Sequence, residues 1–307
     1  MKATPRDWFL LCGLGLIWGG AFMATTVATA DFETFTLSAI RLAIGTLALL
    51  AVLVWRRESL PGFGTREQRL FWIFALGEAI TAYALPFTLL SWAQRHVDSS
   101  FAGVVVASVP LFILPMAFFF VPGEGMPWRK VVGFVLGFIG IIVLMGADSL
   151  LALGGDTTTT LAQIACVGVA LGYASGSIIA KLAPQLGLVR FGTASLIIAT
   201  AIMAPIAIVT EGLPSLPSAD GALAMLYLGL IPTGLATVML LSVIASAGPG
   251  FFSMVNYQVP VWAVIFGIVV LDESPSANLG YALVIIFLGL AISQGLVGLR
   301  RGGHARG

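Results

Sequence analysis

Charge is what this chain has least of. Lysine, arginine, aspartate and glutamate together make up 9% of its 307 residues, while 59% are apolar. An ordinary soluble domain carries about 25% charged residues, so a water-facing surface of normal extent is excluded. Cysteine is almost missing as well. Cys12 and Cys166 stand far apart, each inside an apolar stretch, which leaves no disulfide framework and no cysteine metal site. With two histidines, His96 and His304, the chain has no HExxH pattern. It also lacks a G-x-S-x-G elbow and a GxxxxGK[ST] phosphate loop. ATP hydrolysis by this chain alone is not expected, nor is a cofactor or metal. The net charge of +1 gives no reason to expect a nucleic-acid partner.

What the chain has instead is a series of long apolar runs, with a mean hydropathy of +1.03. Ten are visible, at about residues 8–29, 34–55, 68–91, 100–121, 129–148, 160–181, 190–210, 221–243, 250–271 and 277–297. Each is long enough to cross a ~30 Å hydrocarbon core as a helix, which takes roughly 20 residues. The expected fold class is therefore an all-α membrane protein of ten transmembrane helices, with a lipid bilayer as its main partner.

The basic residues set an orientation. With a cytoplasmic N-terminus, Lys2, Arg6, Arg56, Arg57, Arg66, Arg69, Arg129, Lys130, Lys181, Arg190, Arg300, Arg301 and Arg306 fall on the cytoplasmic side. Only Arg95 and, at its edge, Arg41 fall on the far side. This is the positive-inside pattern. It places both termini in the cytoplasm, with 298–307 as a basic cytoplasmic tail. The far side collects acids instead, among them Asp31, Asp98, Glu211 and Glu273.

The run repeats itself. Leu89-Leu90-Ser91 recurs as Leu240-Leu241-Ser242, Pro110 as Pro260, and Val121-Pro122-Gly123-Glu124 as Val270-Leu271-Asp272-Glu273. The spacing stays near 150 residues. Two halves of five helices, 1–148 and 160–297, are expected. Because five is odd, the halves enter the membrane from opposite sides, which makes an inverted-topology repeat. Such repeats are common in secondary transporters, with the substrate near the midplane.

Trp18-Gly19-Gly20-Ala21-Phe22, Arg41-Leu42 and the paired blocks Leu89 to Glu124 and Leu240 to Glu273 resemble the EamA branch of the drug/metabolite transporter superfamily. The resemblance covers nearly the whole chain as two EamA domains. It implies a ten-helix exporter of small metabolites, often amino acids. Tyr173-Ala174 departs from the Trp-Ala common in the family, and the resemblance assigns no role to Glu78.

The residues themselves propose a site. Glu78 lies halfway along the third run with no charged neighbour in sequence. A mid-membrane acid costs about 2.5–3.5 kcal/mol on insertion scales, so it needs water, a partner or the bundle interior. It binds a substrate ammonium or a proton, pairs with Arg41, or is an inert buried acid. Arg41, about two turns into the second helix, snorkels to the interface, pairs with Glu78, or holds a substrate carboxylate. Five tryptophans sit near helix ends, where an interfacial belt accounts for them. Trp18, Tyr173, Tyr257 and Trp262 sit near mid-depth, where a buried polar aromatic needs a partner or a wet cavity. With Tyr83, they form the aromatic part of the expected substrate site. Asn256, Tyr257 and Gln258 are consecutive and precede Pro260, whose ring frees the Asn256 carbonyl. Pro110 does the same at Val106. Pro86 and Pro232 are further gate-hinge candidates.

The function expected is a secondary transporter or facilitator exporting small amphipathic metabolites by alternating access. Amino acids are the leading class, aromatic or other bulky apolar ones preferred. The alternatives are a channel and an intramembrane lipid-modifying enzyme. A monomer suffices, and a cell inner membrane is the expected location.

Overall fold

A computed structural model describes residues 3–146 and 157–296. Asp148, which closes the first expected half, and the basic tail 298–307 lie outside the described residues. Each apolar run is helical. We number the helices α1 (Pro5–Ala28), α2 (Thr34–Trp55), α3 (Arg66–Ala93), α4 (Ser99–Phe120), α5 (Trp128–Met145), α6 (Thr157–Leu182) and α7 (Leu188–Glu211). They continue with α8 (three segments within 219–247), α9 (Val255–Leu271) and α10 (Ala277–Ser293). No strand occurs among the described residues. Eight of these helices are long and apolar enough to cross a membrane; α9 and α10 are apolar but shorter.

Local chemistry starts and stops them. Thr4 and Asp7 form a reciprocal capping box ahead of α1, with Pro5 at the first helical position. Thr65 and Gln68 do the same for α3. Gly146 and Gly212 end α5 and α7 at φ of 79° and 80°, a region that only glycine enters without strain.

Three of the helices are not regular. α3 runs as Arg66–Glu78, then a π-helical segment Ala79–Ala84, then Leu85–Ala93. α8 runs as Ala219–Leu228, a π segment Gly229–Leu235, then Ala236–Ala247. The two π segments start 150 positions apart, the spacing of the sequence repeat. Pro232 lies inside the second, where its missing N–H frees the Leu228 carbonyl. The Thr233 hydroxyl also donates to that carbonyl, at 2.9 Å. Pro86 sits just after the first π segment, in the opening turn of the segment that follows. α4 breaks at Ala107–Ser108, with Pro110 in the first turn of its second part, Val109–Phe120. Pro260 is different: it lies within a continuous α9, and the chain bends earlier, at Ser253–Met254.

Small residues let these helices touch. A Cβ on Gly133 of α5 would lie 2.6 Å from the Gly289 carbonyl of α10. Gly172 of α6 faces the π segment of α3, where a Cβ would lie 2.7 Å from the Thr81 carbonyl. Close backbone approach of this kind takes the place of the hydrophobic drive that lipid cannot supply.

Carboxylates tie both ends of the bundle. Glu211, closing α7, accepts from the Phe35 and Thr36 N–H groups that open α2, at 2.9 and 2.8 Å. Glu273, just past α9, accepts from the Ser99 and Ser100 N–H groups that open α4, at 2.7 and 3.1 Å, and from the Ser100 hydroxyl. Asp31, after α1, accepts from the Ser218 N–H and hydroxyl ahead of α8. At the opposite end the acids meet cations. Glu58 pairs with Arg190 at 3.1 Å, and Glu124 with Lys181 at 2.8 Å and Lys130 at 3.4 Å.

Candidate substrate site

Glu78 is the last residue of the regular part of α3, and the π segment begins immediately after it. Its carboxylate accepts from the Ser195 hydroxyl of α7 at 2.7 Å. No cation pairs with it among the described residues.

Arg41 faces the interior of the bundle. It is 6% exposed, so it does not snorkel to the interface. Its guanidinium lies 3.8 Å above the Phe87 ring of α3. No ion pair or hydrogen bond engages it among the described residues, and its Nε–H is buried without a partner. Tyr173 of α6 and Tyr227 of α8 are its electrostatic neighbours.

The pair considered from sequence, Arg41 with Glu78, is not formed. Arg41 is level with Phe87, nine residues beyond Glu78 on α3, a distance on the order of 10 Å along a helix. Tyr83 and Tyr173 occupy the ground between. Both pack on one apolar cluster with Leu42, Ala79, Ala84 and Phe87. Neither tyrosine hydroxyl has a hydrogen-bond partner among the described residues, whereas Tyr227 donates to the Ile17 carbonyl of α1 at 2.8 Å.

The remaining candidates divide. Trp18, Tyr173 and Tyr257 pack against a single large cluster. The Trp18 indole N–H donates to the Pro232 carbonyl at 3.2 Å, tying α1 to the π segment of α8. Tyr257 stacks edge-on against Phe287 of α10 with rings 5.5 Å apart, and its hydroxyl is buried without a partner. Trp262 is in neither cluster; it packs on Phe266 and against Gly19 of α1. Asn256 turns back to the Ser253 carbonyl at 2.9 Å, where it stabilises the bend before α9. Gln258 lies against Gly15 of α1. The three consecutive polar residues thus point to three different neighbours and do not form one polar wall.

Ser195, Phe87 and Tyr227 complete the site and carried little signal in sequence. A serine or phenylalanine in an apolar run is unremarkable, and Tyr227 is not among the aromatic residues picked out from sequence. A separate polar cleft of about 450 Å³ lies at the Asp31 end of the bundle, lined by Gln94, Arg95, His96, Asp98 and Glu273 among others.

Comparison with known proteins places this arrangement. The model of the EamA-like transporter family matches residues 8–146 and 160–294. The uncharacterized inner membrane transporter YedA of Escherichia coli K12 is 28% identical over 291 residues, covering 93% of this chain and 90% of its own. The uncharacterized transporter YoaV of Bacillus subtilis is 24% identical, over 90% of this chain and 92% of its own. A probable terminal-alkyne amino-acid exporter of Streptantibioticus cattleyicolor is 27% identical, over 98% of this chain and 97% of its own. One crystal structure aligns with a TM-score of 0.66 at 22% identity, covering 94% of this chain and 98% of that one, a likeness of fold alone. With both matched segments together spanning most of the sequence, the chain belongs to the EamA-like transporter family and is a membrane transporter.

Proposed function

We propose that this protein is a secondary transporter of the cell inner membrane that exports small amphipathic metabolites, with amino acids as the leading class. Bulky apolar or aromatic side chains suit the aromatic interior. The two matched segments act as five-helix repeats of inverted topology, both termini are cytoplasmic, and the repeats exchange inward-open and outward-open states. The paired π segments and the paired prolines, spaced as the sequence repeat is, support that symmetry. A relative named as a probable amino-acid exporter supports the substrate class.

One observation carries the reading. Glu78 stands deep in an apolar helix with a single hydroxyl donor and no cation among the described residues. A carboxylate held there at a cost of about 2.5–3.5 kcal/mol is a functional group by default. It serves by taking up a proton or a substrate ammonium during the cycle. The adjoining π segment adds a backbone irregularity of the kind found at functional sites.

The test uses purified protein in liposomes, a panel of labelled amino acids, and an imposed pH gradient. Wild-type protein is expected to move at least one bulky apolar amino acid. Glu78→Gln, which keeps the shape and the Ser195 contact, is expected to fold and to lose the response to the gradient. A stable Glu78→Gln protein with full transport at every pH removes the role given to this residue.

A further inference from the structure

Resting on the transporter reading above, we infer that Arg41 is the anchor for a substrate carboxylate, and that this anchor is separate from Glu78.

An unpaired guanidinium in the interior of a bundle needs an explanation. Removing a charge of this size from water carries a large penalty even after relaxation. The cation–π contact with the Phe87 face offsets part of that penalty. The remainder is normally met by a carboxylate, and none pairs with Arg41 among the described residues. Phe87 covers one face of the planar group, and no hydrogen bond engages its edge among the described residues. The orphaned Nε–H lies on that edge. Nε–H and a neighbouring Nη–H form the fork that grips a carboxylate through two parallel bonds. Tyr173 stands beside it with a hydroxyl free to donate to the same anion. The missing partner is therefore one that arrives and leaves: an organic carboxylate.

The distance to Glu78 sharpens the class. An α-amino acid carries its ammonium and carboxylate on adjacent carbons. Glu78 and the Phe87 ring that Arg41 lies on are nine residues apart on α3, on the order of 10 Å of helix rise, more than the two charged groups of an α-amino acid span. Once its carboxylate is at Arg41, its ammonium is beside Tyr173 and Tyr83, short of Glu78. The two charges then divide the labour: Arg41 selects for a carboxylate, and Glu78 handles the proton.

Four compounds of one shape isolate the carboxylate: phenylalanine, its amide, phenethylamine and phenylpropionate. Their transport is followed in liposomes containing the full chain, and their binding by the rise in melting temperature of the purified protein. Wild-type protein is expected to prefer phenylalanine over its amide by about tenfold or more, because a site built for a hydrogen-bonding group rejects the analogue lacking it. Phenylpropionate, which keeps the carboxylate, is expected to bind better than phenethylamine. Arg41→Gln is expected to bring acid and amide close to parity, and Arg41→Lys to keep part of the preference. Glu78→Gln is expected to keep the preference while losing the pH response. Wild-type protein that handles acid and amide alike overturns the inference, and this comparison stands even if Arg41→Gln does not fold. A folded Arg41→Gln that keeps the preference also overturns it. Wild-type protein that moves and binds none of the four takes down the transporter reading for this class, and the inference with it.

Discussion

Three acids at one end of the bundle close on backbone N–H groups of other helices; two at the other end face lysine and arginine. Glu211, Glu273 and Asp31 cap the openings of α2, α4 and α8, each reached from a different helix. Glu58 and Glu124 meet Arg190, Lys181 and Lys130. The groups joined differ in what else they could do. The first N–H groups of a helix have no intrahelical partner, and those of Ser99 and Ser100 are buried. They have no substitute if the acid is lost. A lysine at the surface has water. Ties of equal appearance are therefore expected to differ in strength, and Glu124 and Glu273, which close two similar sequence segments, hold different groups.

The comparison can be broken most easily at Glu273. Glu273→Ala strands two buried N–H groups and a hydroxyl. A loss of about 2–4 kcal/mol is expected, read as a fall in melting temperature that added salt does not change. Glu211→Ala strands two N–H groups at α2 and is expected to cost about 1–2 kcal/mol. Lys181→Ala, at the other end, is expected to cost less than about 1 kcal/mol, and the difference from wild type should vanish in high salt. Equal losses from Lys181→Ala and Glu273→Ala would erase the distinction between the ends.

The smallest effect is a pair of opposed pH slopes. Lys181 and then Lys130 hold the Glu124 carboxyl below the usual glutamate range. Its contribution is present above the unfolded-state value and is lost as pH falls through the folded one. Asp98, at the capped end, is pushed the other way, first by partial burial and then by the nearby Glu273 charge. A carboxyl raised in the fold destabilises once ionised, so its effect grows as pH rises through the folded value. Asp98→Asn is therefore expected to stabilise near neutral pH and to do nothing in acid, whereas Glu124→Gln should cost stability near neutral pH and little in acid. Melting curves of the two variants between pH 3 and 7 check the signs.

Much of the architecture was legible in the chain. Apolar runs of membrane length have no other stable use, so the helices could be read directly. The matched prolines and acids recur near 150 residues apart, and the two π segments start 150 positions apart as well. The bend near Pro110 was legible too, because a missing N–H acts on its own helix. The polar run at 256–258 misled: consecutive residues on a helix point in different directions, and these three found separate neighbours. The π segments left no clear mark, since one extra residue in a turn barely changes an apolar pattern.

What the sequence determined by itself is whatever depends on composition and local bonding: membrane-length helices, their caps and breaks, and family membership. What only the tertiary structure decided is which charges meet. Glu78 found Ser195, more than a hundred residues away, and Arg41 found the Phe87 ring and, among the described residues, no acid. Those outcomes depend on the depth and rotation of separate helices, set by glycine contacts and π turns that act jointly. A charged residue in an apolar run announces that something must neutralise it; only the packed bundle shows whether a neighbour does.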